Sequence, residues 1–279
     1  MLLYIRGLMQ YTLALNQRWC DGRASYRPPT EPIRTAEYEV AEIPDDTTAR
    51  EFVTRHHYSG TYPSARFRVG LYRHGELAGV AVFSHPCSNA VLTNVFDAPV
   101  LTTVELGRFV LADFVPGNGE TWCLARSFEI LRKKGIVGVV SFSDPLQRRT
   151  ASGDVIHMGH VGTIYQAHNA CYLGRGTART LHLLPDGRVF SDRAAQKIRN
   201  SERGWKYAAA QLKAFGATDV PTDASARTEW LNSSLQSLAT RVRHKGNHKY
   251  AWPLNVAIRR QLPASLPYPK SLDPIYTAL

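Results

Sequence analysis

Apolar and polar positions alternate with period two over residues 37–43, which predicts a first strand. The spacing turns helical after Pro44-Asp45-Asp46-Thr47-Thr48, whose side chains can cap a helix running to about Arg55. A polar aromatic loop, His56-His57-Tyr58-Ser59-Gly60-Thr61-Tyr62-Pro63, follows. Apolar runs at 66–72 and 77–83 flank Arg73-His74-Gly75-Glu76 and predict a hairpin. Residues 85–99 read as a loop or short insertion. The next apolar run, 104–110, carries one charge pair, Glu105 and Arg108, and leads into the turn Pro116-Gly117-Asn118-Gly119-Glu120-Thr121. Trp122, Ala125, Ile130 and Leu131 then fall roughly on one face of a helix over 122–134. The β-branched run 136–143 predicts a strand covered on both faces. A helix joining two strands favours parallel pairing, and polar groups at the carboxyl ends of such strands face a ligand crevice. Asp144 stands at such an end, and Gly159-His160-Val161-Gly162-Thr163-Ile164-Tyr165 closes the block after a polar loop. Arg108, Asp144, His160 and Tyr165 are therefore expected at one cleft, with His57 approaching from the loop after the first helix.

Beyond the block, 180–184 and 188–190 form a second hairpin around Pro185-Asp186-Gly187. Helices are expected over 192–198, 204–215 and 225–241, and an extended proline-rich tail after Pro263. The implied division is an amino-terminal arm and linker (1–35), a mixed-sheet α/β domain flanked by helices (36–215) and a carboxyl-terminal extension (216–279).

Charge sharpens this picture. The chain of 279 residues carries a formal net charge of +11, and residues 175–260 hold 16 basic against 6 acidic side chains. The remainder is almost balanced, so the basic third reads as a polyanion-binding face. Its densest stretch holds Arg241, Arg243, Lys245 and Lys249, and Trp205, Tyr207, Trp230, Tyr250 and Trp252 lie among the charges as candidates for stacking on bases, with core packing the plainer reading for the tryptophans. Arg148 and Arg149 add two cations in the loop after Asp144. Cys20, Cys87, Cys123 and Cys171 form no CxxC pair, so reduced thiols are the default. The apolar residues 1–15 are interrupted by Arg6 and too short to span a bilayer, which predicts a soluble intracellular protein with a weakly ordered arm.

Three groupings carry candidate chemistry. Gly117, Asn118 and Gly119 ahead of a helix can hold a phosphate on free amides; an ordinary strand-to-helix turn fits equally. Arg108 in an apolar strand can grip a phosphate or carboxylate, or make a structural ion pair, for instance with Asp144. Asp144 can accept a proton from a weakly nucleophilic amine while Tyr165 stacks or donates; loop capping by Asp144 and core packing by Tyr165 are the plainer alternatives.

The element order is that of a GNAT-type acyltransferase domain. Glu105-Leu106-Gly107-Arg108-Phe109, Ser127, Ser143-Asp144-Pro145, Gly159-His160-Val161-Gly162 and Tyr165-Gln166-Ala167-His168-Asn169, with His57-Tyr58 upstream, together resemble the Mom family of phage DNA-modification proteins. The resemblance covers roughly residues 36–215. It implies a GNAT-like fold and a transferase that converts adenine in double-stranded DNA to an N6-carbamoylmethyl-type derivative, protecting phage DNA from host restriction. Arg108, Ser127, Asp144 and Tyr165 become functional positions, His160 joins them, and His57 and Tyr58 match positions linked to an iron site. The implied location is the cytoplasm of a bacterial host. The donor stays open between acetyl-CoA, an aminoacyl carrier and a metal-assisted route, and the acetyltransferase pyrophosphate loop survives only as Pro116-Gly117-Asn118-Gly119. An N-acetyltransferase for a small amine or protein, and a non-catalytic DNA-binding protein, are the alternative readings.

Overall fold

The computed structural model describes residues 16–20, 23–28 and 31–274; the expectation for residues 1–15 lies outside them. The described chain divides into two compact units. The first comprises the described residues up to Asp144, His160–Arg175 and Asn247–Ser271; the second comprises Pro145–Gly159, Gly176–Gly246 and the described residues from Leu272. The expected boundary at 215/216 thus falls inside the second unit.

The first unit opens with a hairpin, β1 (Asn16–Cys20) and β2 (Arg23–Arg27). Its main body is a seven-stranded sheet. In chain order the strands are β3 (Tyr38–Glu42), β4 (Ala65–Arg73), β5 (Glu76–Ser84), β6 (Thr103–Leu111), β7 (Gly138–Ser143), β10 (Cys171–Arg175) and β14 (His248–Pro253). Across the sheet they run β10-β14-β7-β6-β5-β4-β3. Every neighbour pair is antiparallel except β6 and β7, which are parallel. The hairpin β4–β5 turns on His74 and Gly75, with φ of 50° and 85°, the left-handed pair that suits a two-residue turn between twisted strands. Two helices cover the faces. Helix α1 (Asp46–His56) starts at Asp45, whose carboxylate accepts from the Thr48 amide at 2.7 Å. Helix α3 (Gly119–Lys133) crosses over from β6 to β7.

The period of two, with both faces covered, explains why β5 is apolar from Leu77 to Phe83. Val80 and Val82 pack on Ala49 and Val53 of α1, while Ala81 and Phe83 face Leu124, Phe128 and Leu131 of α3. Residues 85–99 are more than a loop: they hold α2 (Ala90–Thr93) and bury Leu92 and Phe96 against Val140. Gly138 leaves room for the Phe96 ring, since a Cβ there would lie 2.8 Å from it.

The carboxyl-terminal basic stretch is not an appended extension. β14 lies between β7 and β10 in the central sheet, with Tyr250 opposite Ser141. Tyr250 and Trp252 are 0% and 4% exposed and belong to the main core, so they are unavailable for stacking on bases.

In the second unit β8 (Arg148–Arg149) pairs with β9 (Val155–His157). A three-stranded sheet orders β12 (Val189–Phe190), β11 (Arg179–Leu183) and β13 (Thr240–His244). Helices α5 (Asp192–Arg199), α6 (Trp205–Lys213) and α7 (Ala224–Leu238) pack together through Ile198, Leu212, Trp230 and Leu231. Helix α7 ends at Leu238 rather than 241, because Ala239 is extended (ψ 136°) and Thr240 begins a strand. No helix of the described residues is long and apolar enough to cross a membrane.

Candidate active site

The site lies within the first unit, where the parallel strands part. Register partners run Thr103–Gly138, Val104–Val139 and Glu105–Val140, and there the pairing of β6 with β7 ends. The Ser141 hydroxyl donates to the Leu106 carbonyl at 2.9 Å, one residue past the last pair. Beyond it β6 stays with β5 and β7 stays with β14. The register of β5 on β6 slips at Gly107, a bulge of the sort that re-aims side chains beside active sites. A Cβ at Gly107 would stand 2.5 Å from the Ser84 hydroxyl, so a larger residue there would force the Ser84 side chain to move.

The bulge directs Arg108 to the loop after α1. Its Nε and Nη2 donate to the Thr61 carbonyl and hydroxyl at 2.9 and 2.7 Å, and Nη1 donates to Gly107 O at 2.5 Å. Asp144 is not among its partners. Arg108 therefore anchors the segment that carries His57 and Tyr58. Those two rings lie 4.2 Å apart, and His57 Nδ1 sits 2.9 Å from the Ser59 hydroxyl and 3.1 Å from the Ser59 amide. The Tyr58 hydroxyl reaches to 3.5 Å from His160 Nε2, and the two rings meet edge-on at 5.9 Å.

His160 follows the loop after β7, and its amide donates to the Asp144 carbonyl at 2.8 Å. Burial lowers its pKa to about 4 against the pull of the Asp144 carboxylate, so its imidazole is neutral at physiological pH. Helix α4 (Thr163–Ala167) presents Tyr165, whose ring lies 6.5 Å from His160, 5.4 Å from Tyr250 and 5.3 Å from Trp252. Burial raises the Tyr165 phenol, while a hydrogen bond with Ser141 and the charge of Arg108 oppose the rise. Burial also raises Glu105, with Arg108 opposing. Tyr58, Asp144, His160, Tyr165, Ser141, Glu105 and Arg108 thus form one connected group. Two of its members, Glu105 and Ser141, were given no site role from sequence; the charge pair of Glu105 with Arg108 in an apolar strand was the available signal for the first.

Three expected sites look different in three dimensions. Ser127 is fully buried in α3 and its hydroxyl donates to the Cys123 carbonyl at 2.8 Å, a contact within the helix. The turn of Gly117, Asn118 and Gly119 is covered by the chain itself. The Gly117 amide donates to the Glu31 carboxylate at 3.2 Å, Asn118 Oδ1 accepts from the Ile33 amide at 2.8 Å, and a Cβ on Gly117 would lie 2.0 Å from the Pro28 carbonyl. A carboxylate occupies the place where a phosphate was expected. The arm behind it is ordered where described. Arg18, buried on β1, pairs with Glu120 and donates to the carbonyls of Ala112, Asp113, Val115 and Pro116. Third, His57 and Tyr58 gain no carboxylate or thiolate neighbour: among the described residues no three His, Cys, Asp or Glu side chains form a group that could hold a metal ion, and His57 Nδ1 lies beside Ser59.

The expected DNA-contacting cations separate. Arg149 is tied within its own loop, to Gln147 Oε1 at 3.1 and 3.0 Å and to Gly153 O at 2.9 Å, and Arg148 is its neighbour on β8. Arg241, Arg243 and Lys245 are exposed at alternate positions on and just beyond β13 in the second unit, whereas Lys249 lies on β14 in the first.

A hairpin feeding a bulged strand, a crossover helix and a parallel strand that parts from its partner make this a mixed α/β protein of GNAT-like, transferase-type fold. The chain belongs to the Mom protein family, whose model matches residues 37–270. No match is found among curated proteins. Solved structures similar to it include an N-acetyltransferase from Staphylococcus aureus Mu50, 13% identical over 68% of both chains at a TM-score of 0.29. A GNAT-family acetyltransferase from Streptococcus pneumoniae is 13% identical over 52% of this chain and 89% of its own, TM-score 0.32. A Bacillus subtilis acetyltransferase in complex with CoA is 10% identical over 78% of this chain and 99% of its own, TM-score 0.31.

Proposed function

We propose that the protein is a DNA-modifying transferase that converts adenine in double-stranded DNA to an N6-carbamoylmethyl-type derivative and so protects phage DNA from restriction. The observation that carries this reading is the convergence of Tyr58, Asp144, His160 and Tyr165 where β6 and β7 part, in a chain of the Mom family. Adenine N6 is a poor nucleophile because its lone pair is delocalised into the ring. A carboxylate that accepts the N6 proton as the new N–C bond forms supplies the missing basicity. Asp144 fills that role, neutral His160 orients the carboxylate and the Tyr58 hydroxyl, and Tyr165, 8% exposed in the main core, backs the His160 ring. N6 is hidden in duplex DNA, so the target base turns out of the stack, at a cost of a few kcal/mol.

The product constrains the donor. Direct acyl transfer would leave an amide on N6, whereas a carbamoylmethyl group is joined through a methylene carbon. The donor is therefore activated at the carbon next to its carbonyl, or the adduct rearranges after transfer. In either case the donor's leaving group departs with the electron pair of the broken bond. Glu31 on the turn at Gly117 argues against a CoA pyrophosphate held there, which favours an aminoacyl-type carrier over acetyl-CoA.

The test is mass spectrometry of nucleosides from bacterial DNA after expression of the chain. Part of the deoxyadenosine should shift to the mass of the carbamoylmethyl derivative, and Asp144→Ala should reduce that fraction at least ~100-fold, the scale of a lost proton acceptor, with an unchanged melting temperature. Unmodified DNA from cells rich in soluble wild-type protein would refute the assignment.

A further inference from the structure

The second unit contains a cavity of about 560 Å³ whose polar lining is His182, Thr240 and Arg241 from the small sheet, Arg199 from the last turn of α5, and Asn232 and Gln236 from α7. Its construction follows from periodicity. His182 and Arg241 are direct cross-strand partners of β11 and β13, so their side chains share one face of the sheet. The alternate positions Leu181, Leu183 and Val242 bury themselves on the other face. Asn232 and Gln236 are four residues apart on α7 and therefore project from one side of it.

The charge balance of this cavity is unusual. No carboxylate lines it. Among the described residues neither the Arg199 nor the Arg241 guanidinium has an ion pair or hydrogen bond, although Arg188, Arg193 and Lys213 of the same unit are all paired with acids. Burial and the charge of Arg241, then of Arg199, keep His182 below its ordinary range, with Asp192 opposing. The neutral imidazole adds a hydrogen-bond donor without a third charge. Two forked cations, two amides and an imidazole facing one space suit a tetrahedral, multiply accepting anion.

We propose that this cavity is a phosphate-ester subsite that holds a backbone phosphodiester of the DNA substrate, and the proposal rests on the reading that DNA is that substrate. Arg199 and Arg241 each release counterions when they engage phosphate, so the pair contributes about 1.8 to the slope of log affinity against log salt.

The experiment compares wild type, Arg199→Gln/Arg241→Gln and the control Arg203→Gln/Lys206→Gln for binding of a labelled duplex across a salt series, and titrates each with deoxyadenosine monophosphate. The expected result is a slope shallower by about 1.8 and affinity at least ~10-fold weaker in the first variant, no comparable change in the control, and an unchanged melting temperature. Equal effects in both variants would overturn the proposal, because total charge alone would then account for binding. Loss of mononucleotide binding with intact duplex binding would assign the cavity to a free nucleotide and overturn the DNA assignment. If wild type binds mononucleotide but no duplex, the functional reading itself fails. Duplex binding that neither variant alters refutes only the subsite.

Discussion

At the scale of single residues, His160 has the most informative environment. Its ordinary pKa of 6.5 falls to about 4 in the folded protein. Between those values the unfolded chain binds a proton that the folded chain refuses, so stability rises with pH through this window and is lost as pH falls from 6.5 towards 4. Chemical denaturation of the wild type should therefore show a midpoint that drops across that interval, and His160→Gln should flatten the dependence. The catalytic consequence runs the same way. His160 stays neutral through the physiological range, so an acid limb of activity near neutrality would have to come from another group. Arg108 teaches a different lesson. A guanidinium in an apolar strand was legible as significant, but its partner Thr61 lies 47 residues away in the chain, beyond the reach of any local pattern.

At the scale of elements, periodicity located most of the first unit. The alternation over 37–43, the caps before α1, the His74-Gly75 turn and the glycine turn before α3 each specify their structures locally. What could not be read was the pairing of strands far apart in the chain, such as β14 with β7 and β10. Residues 241–250 look like a polycationic run, because β13 sends Arg241 and Arg243 outward while burying Val242 and His244, and the same run then enters β14. Two neighbouring strands of different units therefore share one charged stretch of sequence. The element-scale prediction concerns β14. Trp252 packs on Phe128 at 5.4 Å and Tyr165 at 5.3 Å between ring centres, and its Nε1 donates to His168 O at 3.2 Å. Trp252→Ala should lower the unfolding free energy by about 3–5 kcal/mol. A tryptophan that served only to stack on DNA would leave the unfolding curve unmoved.

At the scale of the whole molecule, the amino-terminal hairpin is part of the folded first unit, and Arg18 is its anchor. The guanidinium lies 6% exposed against Glu120, which is 3% exposed, with four backbone carbonyls completing its shell. Removing it strands a buried carboxylate, so Arg18→Ala should cost about 3–5 kcal/mol in equilibrium denaturation. A cost below about 1 kcal/mol would mean that the hairpin is only loosely held. Sequence alone suggested a weakly ordered arm because an isolated arginine near an apolar run gives no hint of a carboxylate 102 positions later.

The insertion of β14 beside β7 also sets an order of events. Ser141 waits for Tyr250, so during synthesis the strand that leads to Asp144 keeps one open edge while more than a hundred further residues are made. Unpaired strand edges invite wrong partners. The cleft is thus completed only when the carboxyl-terminal stretch has emerged and docked, and a nascent chain that is still growing carries only half of its site.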